Sequence, residues 1–314
     1  MDNKDLMQKA DWSVGDLSSG GLLNDEQSNQ FIRKLLVQPT ILNQSRVVTM
    51  SSPQRQINKI QFSSRILHPA VSNTPLVVGD RSAPTTEQVL LATSEVIAEV
   101  RLPYDVIEDN IERGNIGMHT DTNGTPTSGG IRDTIMTLIA ERAALDLEEL
   151  ALLGDVGSGD PFLALLDGWL IQSTTNVVDV AGAEISKDTW KQGLQAMPDQ
   201  YLRNRAAMRH FCSVDNEIAY RDSLANRETA LGDAQIQGTS PVFGFGVAVD
   251  PASLMPASNG LTTNPLNMIF GIQRDIHIET DKDISARVYI IVLTMRMDFK
   301  YEEEEATVKY TNIG

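Results

Sequence analysis

Ser128 to Gly154 reads SGGIRDTIMTLIAERAALDLEELALLG, and the rest of the chain is organised around it. Thr127 and Ser128 are good N-caps, because a hydroxyl accepts a bond from an orphan backbone N–H. Gly154 stands where a left-handed C-cap is easiest for a residue without a side chain. Between them Ile131, Ile135, Leu138, Ile139, Leu145, Leu152 and Leu153 recur at the spacing of one helical face. A smaller second face carries Ala140, Ala143, Ala144, Leu147 and Ala151, so this helix must be covered on more than one side. At the α-helical rise it is about 40 Å long, enough to brace a domain.

The chain around it has 314 residues, which fits one large or two ordinary domains. Its single cysteine, Cys212, excludes an internal disulfide framework and points to synthesis in a reducing compartment. Cys212 lies in Met208–Ser213, a strand-like stretch in which it reads as a small core thiol. No apolar run reaches membrane-span length, and Met1–Ala10 lacks the order of a signal peptide; a soluble, intracellularly made protein is expected. The net charge is −16, which disfavours a nucleic-acid reader. The charge is uneven: residues 45–92 carry five basic and two acidic side chains, and from Ser45 to Gly79 there is no carboxylate.

Met1–Asn24 is polar and rich in Gly, Ser and Asp, the composition of an extended arm. Phe31, Ile32, Leu35 and Leu36 then mark a short helix, closed by Pro39. Val47–Thr49 and Ile57–Phe62 read as outgoing strands, and Val96, Ala98, Val100 and Leu102 alternate on the return. Pro69, Pro75, Gly79 and Pro84 punctuate a tip without periodicity. The whole is a long hairpin with no adjacent helix to pack on. An isolated two-stranded ribbon is marginal in water, so its covering surface is expected to come from a neighbouring copy. Residues 166–263 read as an α/β portion: Ser186 caps a helix bearing Trp190, Leu194 and Met197, and Ser213 or Asp215 caps one bearing Ile218 and Ala219. The end is β: Ile276 and Ile278 alternate, and Val288–Leu293 is an apolar run. Glu302–Glu305 is expected to be a solvated bend.

Little here carries chemistry. His68, His119, His210 and His277 show no metal spacing. Gly157-x-Gly159 lacks the rest of a phosphate loop, with Phe162 where a dinucleotide fingerprint needs Gly. Asp121-Thr-Asn123-Gly124 lacks the third acid and closing Glu of a calcium loop. Asp155, Asp160 and Asp167 lie in a turn where Asp commonly bonds backbone N–H groups. No catalytic, cofactor or metal residue is assigned.

In order, the arm, the hairpin, PYDVIEDNIERG (residues 103–114), the long helix, GDVGSGDPFLALLDGWL (154–170) and NMIFGIQRDIHIETDKDISARVYIIVLTMRMDFKYEEEEATVKY (267–310) resemble the major capsid proteins of tailed bacteriophages, the Hong Kong 97-like fold. The resemblance implies an α+β chain: an N-terminal arm (1–44), an E-loop β-hairpin (45–102), a P-domain (103–165 and 266–305, spine helix about 128–154) and an A-domain (166–265 and 306–314). It implies a head protein that self-assembles into hexamers and pentamers of an icosahedral shell around double-stranded DNA, made in the bacterial cytoplasm and ending in the virion. Arg55, Lys59, Arg65 and Arg81 of the E-loop would make inter-subunit contacts. No enzyme activity, cofactor or membrane partner is implied. A portal, a decoration protein and weak contact with packaged DNA are. Some members carry a long N-terminal scaffolding segment; here the arm starts at Met1, so a separate scaffolding protein is expected. Others join subunits by a Lys–Asn isopeptide bond. Lys59 is the only E-loop lysine and lies on the outgoing strand, with nothing to align Asn264 or Asn267 to it, so cross-linking is not expected. An encapsulin-like compartment shell, or a soluble α/β enzyme, are the other readings.

Overall fold

A computed structural model describes residues 40–103 (apart from 63, 64, 71, 72, 74, 78, 80 and 82), 131–225 and 241–314. The amphipathic arm helix expected at residues 31–36, His119, the calcium-loop-like segment at 121–124 and the N-caps Thr127 and Ser128 lie outside them. Helix α1 spans Ile131–Leu153, and towards its C-terminal end Leu145, Leu147, Leu150, Ala151 and Leu152 are all covered. It packs on a four-stranded sheet ordered β1-β10-β11-β4, made of β1 (Arg46–Thr49), β4 (Ser94–Pro103), β10 (Met268–Asp283) and β11 (Val288–Tyr301). Along β11 alternate residues point inward, so Met295, Met297 and Phe299 join Phe270 of β10 and Trp169 in one core with α1. Trp169 opens the short helix α2 (Trp169–Gln172) and meets Phe299 edge-on at 5.3 Å.

Gly154 ends α1, but not as a left-handed cap; the positive-φ glycines among the described residues are Gly182 and Gly246. A glycine is needed there because a Cβ would lie 2.4 Å from the Leu166 carbonyl oxygen and 2.9 Å from the Gly168 nitrogen. The turn is drawn tight by Gly168 N–H donating to the Gly154 carbonyl at 2.8 Å.

The second sheet has six strands, ordered β5-β12-β9-β6-β8-β7: β5 (Val177–Asp179), β6 (Arg209–Cys212), β7 (Val242–Gly244), β8 (Val247–Pro251), β9 (Gly260–Thr263) and β12 (Val308–Thr311). Helix α3 (Lys187–Ala196) starts at Ser186 with a capping box to Thr189 and buries Trp190 and Leu194. Helix α4 (Val214–Ala225) is capped by Ser213, whose Oγ accepts from Asn216 N–H at 3.2 Å. Its buried face is Asn216, Glu217 and Tyr220; Ile218, expected inward, is exposed. Phe211 of β6 and Leu261 of β9 reach the core under α1, whereas Cys212, Trp190 and Tyr310 belong to the other core. The two sheets thus share a border rather than a linker.

The hairpin expected over 45–102 is divided. Its roots are body strands: β1 runs parallel to β10, and β4 runs antiparallel to β11. Only β2 (Gln54–Gln61) and β3 (Thr85–Ala92) form a separate two-stranded ribbon. The outer segments found partners more than 160 residues away, which local periodicity cannot reveal.

Candidate assembly surface

The ribbon register pairs Ile57 with Val89, Lys59 with Glu87, and Arg55 with Leu91. Paired residues share a face, so one face carries Arg55, Ile57, Lys59, Glu87, Val89 and Leu91. That face turns towards the chain's own body at the root. Leu91 is fully buried against Val48, Met50 and Ile269. The approach is permitted by Gly271, where a Cβ would lie 3.2 Å from the Met50 sulfur and 3.3 Å from Leu91. Asp298 of β11, itself buried, accepts from Ala92 N–H at 2.7 Å and Phe299 N–H at 2.8 Å. Its pKa is raised by burial, against which those two bonds and the Lys300 charge act.

Beyond the root the ribbon has little of its own to cover it. Leu67 is 79% and Ile60 70% exposed, and Phe62, Ile66, Leu76, Val77 and Leu90 are exposed too. Exposed apolar side chains gathered in one element mark a contact surface, where scattered ones would not.

The four basic residues assigned to inter-subunit contact are spread along this ribbon. Lys59 reaches back to its own chain, 2.8 Å from the Glu303 carboxylate and 3.6 Å from Glu87. Burial lowers its pKa, but the bond to Glu303 and the two carboxylate charges outweigh that and leave it above the usual lysine value. Arg55 is exposed and donates to the Thr49 carbonyl. Arg81 donates to the Leu76 carbonyl at 3.3 Å, and Arg65 is exposed near the tip. The structure does not bring the four together.

The acidic run expected to be a solvated bend is instead a clasp between the sheets. Glu302 pairs with Arg46 at 2.7 Å and Glu303 with Lys59. One Glu304 oxygen accepts from the backbone N–H groups of Thr174 and Thr175 at 2.9 and 3.0 Å, and from both hydroxyls. Asn267, buried where the chain crosses from β9 to β10, donates to the Glu303 carbonyl and accepts from Glu303 N–H, both at 2.8 Å. Lys59, Asn264, Asn267 and Glu303 line one groove of about 350 Å³, an alignment that sequence spacing did not disclose. The Asn267 amide there is held on both its oxygen and its nitrogen.

Residues with chemical potential serve packing. His210 stacks on Trp190 at 4.2 Å, and its nitrogens meet Thr262 Oγ1 at 2.6 Å and the Gly244 carbonyl at 3.2 Å. Burial lowers its pKa to about 4. Cys212 is buried, and burial with the charges of Glu217 and Asp250 pushes its thiol up to about 12, far from a nucleophile's range. Asp155, Asp160 and Asp167 each accept a backbone N–H, from Gly157, Phe162 and Val156 respectively. His68 is exposed, and His277 lies opposite Thr294 in the β10–β11 ladder. Among the described residues no three His, Cys, Asp or Glu side chains gather as a metal-holding group, and no helix is long and apolar enough to cross a membrane.

No family model matches the chain. The Bacillus subtilis (strain 168) protein named "Putative prophage capsid protein YqbE" is 40% identical over 325 residues, spanning 100% of this chain and 99% of that one. The capsid of a native GTA particle superposes with a TM-score of 0.68 at 14% identity, over 96% of this chain and 99% of that chain. The satellite phage P4 procapsid including the size determination (Sid) protein gives 0.62 at 13% identity, over 100% and 98%. The capsid of Myoviridae phage XM1 gives 0.61 at 10% identity, over 94% and 100%. A ribbon whose outer part the chain's own body leaves exposed and two sheets clasped side by side suit a wall-building subunit, and the chain belongs to the phage capsid proteins of Hong Kong 97-like fold, structural proteins of the virion rather than enzymes.

Proposed function

We propose that this chain is the major shell subunit, assembling as hexamers and pentamers around double-stranded DNA, and that each copy grips the next with the ribbon of residues 54–92. The observation that carries this is the contrast along the ribbon: its root buries Leu91 in the body, while its outer part exposes Ile60, Phe62, Ile66, Leu67 and Val77. Association buries such surface at roughly 25 cal/mol per Å² of apolar area, less the cost of ordering it. α1 with β10 and β11 falls within the P-domain expected at 103–165 and 266–305, to which β1 and β4 add two strands from before those bounds, and the six-stranded sheet falls within the A-domain expected at 166–265 and 306–314. Arg65 and Arg81, near the tip, steer the ribbon onto an acidic neighbour; such charges set encounter and register more than affinity. Arg55 acts at the root, and Lys59, further out, holds the ribbon against Glu303.

The partners on this reading are further copies, a portal, a decoration protein, packaged DNA held weakly, and a separate assembly factor. The size determination protein named with the satellite phage P4 procapsid supports the last of these. Negative-stain microscopy of the expressed chain tests the proposal. Closed shells are expected, with their yield reduced by Arg65→Glu combined with Arg81→Glu. A wild-type chain that stays a small, monodisperse oligomer would remove it.

A further inference from the structure

The ladder between β4 and β11 stops short of where its register would carry it. Its last pair is Ser94 with Met297; continued in the same register, it would face Thr93 with Asp298 and then Ala92 with Phe299. Residues facing each other across an antiparallel ladder can exchange N–H···O=C bonds, yet both backbone groups of Phe299 are taken by side chains. Its N–H donates to Asp298 Oδ1 at 2.8 Å, and its carbonyl accepts from Gln172 Nε2 of α2 at 2.8 Å. The other oxygen of Asp298 accepts the Ala92 N–H at 2.7 Å. One carboxylate thus stands between two backbones where the next rung of the sheet belongs, and answers the N–H of each.

The position is a costly one for a charge. Asp298 is 3% exposed, and Gly271, opposite it in β10, touches Met50 and Leu91 of the apolar knot. A buried carboxylate is tolerated where its oxygens are hydrogen-bonded, and an apolar side chain commonly serves stability as well or better. Holding the fold together is therefore a weak reason for an acid here; separating two strands is a stronger one. The outgoing leg of the ribbon has a stop of its own. Met50 N–H still donates to the Ile272 carbonyl of β10 at 2.7 Å, but Pro53, three residues on, has no N–H to extend a ladder. The Pro53 carbonyl instead accepts the Thr93 N–H at 2.9 Å, which ties the two legs to each other. Both legs are turned off the wall, one at a proline and the other at a carboxylate.

We infer that Asp298 is a positioning residue for assembly: its carboxylate is a wedge that ends the wall's sheet at Ser94–Met297 and holds the ribbon off it as a separate lever. This rests on the proposed function and adds the group that sets the direction in which the ribbon leaves the body. Without the wedge, the Phe299 N–H can bond the Ala92 carbonyl. The ladder then gains a pair at the expense of the elbow, and the ribbon swings towards the plane of the wall.

The test uses the full-length chain with Asp298→Val, which has no acceptor and suits a strand. Spin labels go on Ile60→Cys of the ribbon, 70% exposed, and Lys191→Cys of α3, exposed, while the native Cys212 is buried. Dilution into unlabelled chain leaves only intrachain distances. Ile60 lies six residues from the elbow, a lever of roughly 20 Å, so a swing of about 30° shifts the measured distance by up to about 10 Å. That shift is expected, together with amides at Ala92 and Phe299 that stay protected because they have re-paired, and loss of closed shells in the microscope. A carboxylate that merely satisfied two N–H groups would, once removed, leave both amides exchanging faster and the distance unchanged; that result would overturn the wedge. A moved ribbon with normal shells would also overturn it, since the ribbon's direction would not matter to assembly. Should the valine variant fail to fold, Asp298→Asn keeps the size and one acceptor oxygen, and a two-peaked distance distribution is expected, with a single wild-type peak counting against the wedge. A wild-type chain that forms no shells would instead remove the proposed function itself.

Discussion

His210 shows how far one buried side chain can bias stability without taking part in any reaction. Its folded pKa, lowered by burial to about 4, lies below the ordinary histidine value of 6.5, so the native state resists protonation more than the unfolded chain does. That contribution is complete above pH 6.5 and is lost as pH falls towards 4. The span corresponds to on the order of 3 kcal/mol. NMR titration of the imidazole should give a midpoint near 4; a midpoint near 6.5 would contradict its burial between Trp190 and Thr262. Lys59 sits at the opposite extreme, partly exposed and therefore screened. Lys59→Met is expected to change global stability by less than about 1 kcal/mol. It should nevertheless speed amide exchange severalfold in β2 and β3, because the Glu303 contact holds the ribbon outside its root.

Among the elements, the close of α1 carries the sharpest expectation. Gly154→Ala forces a methyl group into the Leu166 carbonyl at 2.4 Å and should cost about 2–4 kcal/mol in denaturant unfolding. Gly159→Ala in the same turn, with nothing within 4 Å, should stay within about 0.5 kcal/mol. The helix itself was legible, because 3.6-residue periodicity and a terminal glycine are local signals. The reason for the glycine was not, since it depends on a carbonyl twelve residues on. Strand periodicity likewise disclosed β4 but not its partner β11, so a hairpin base was expected where two body strands stand. A run of four acids reads as solvated when its counter-charges, Arg46 and Lys59, lie about 250 residues earlier. Ile218 failed for a related reason: Asn216 and Glu217 take the inward face of α4 because the Asn216 amide donates to the Ala257 carbonyl at 2.7 Å, a tertiary demand that outranks hydrophobicity.

At the level of the molecule, ribbon and body are separable. Replacing residues 55–90 by a short Gly-Ser linker should leave both cores folded, with a melting temperature within a few degrees of wild type, because neither core contains a ribbon residue. The same deletion should abolish closed particles in the microscope. Loss of the folded body would mean that the ribbon belongs to the fold. The assembly surface was readable only in part: the carboxylate-free run from Ser45 to Gly79 stands in the sequence, while the anchoring of the ribbon's root needs three separate segments to meet around Leu91. The Thr93 elbow, where Thr93 N–H donates to the Pro53 carbonyl at 2.9 Å, joins a stiff wall block to a projecting lever through one small hydrophobic knot around Leu91. A closed surface built from one kind of tile must bend more sharply at its fivefold corners than across its flat facets. That difference in curvature can be taken up by swinging the lever about this joint, so a single sequence can occupy both surroundings without repacking either core.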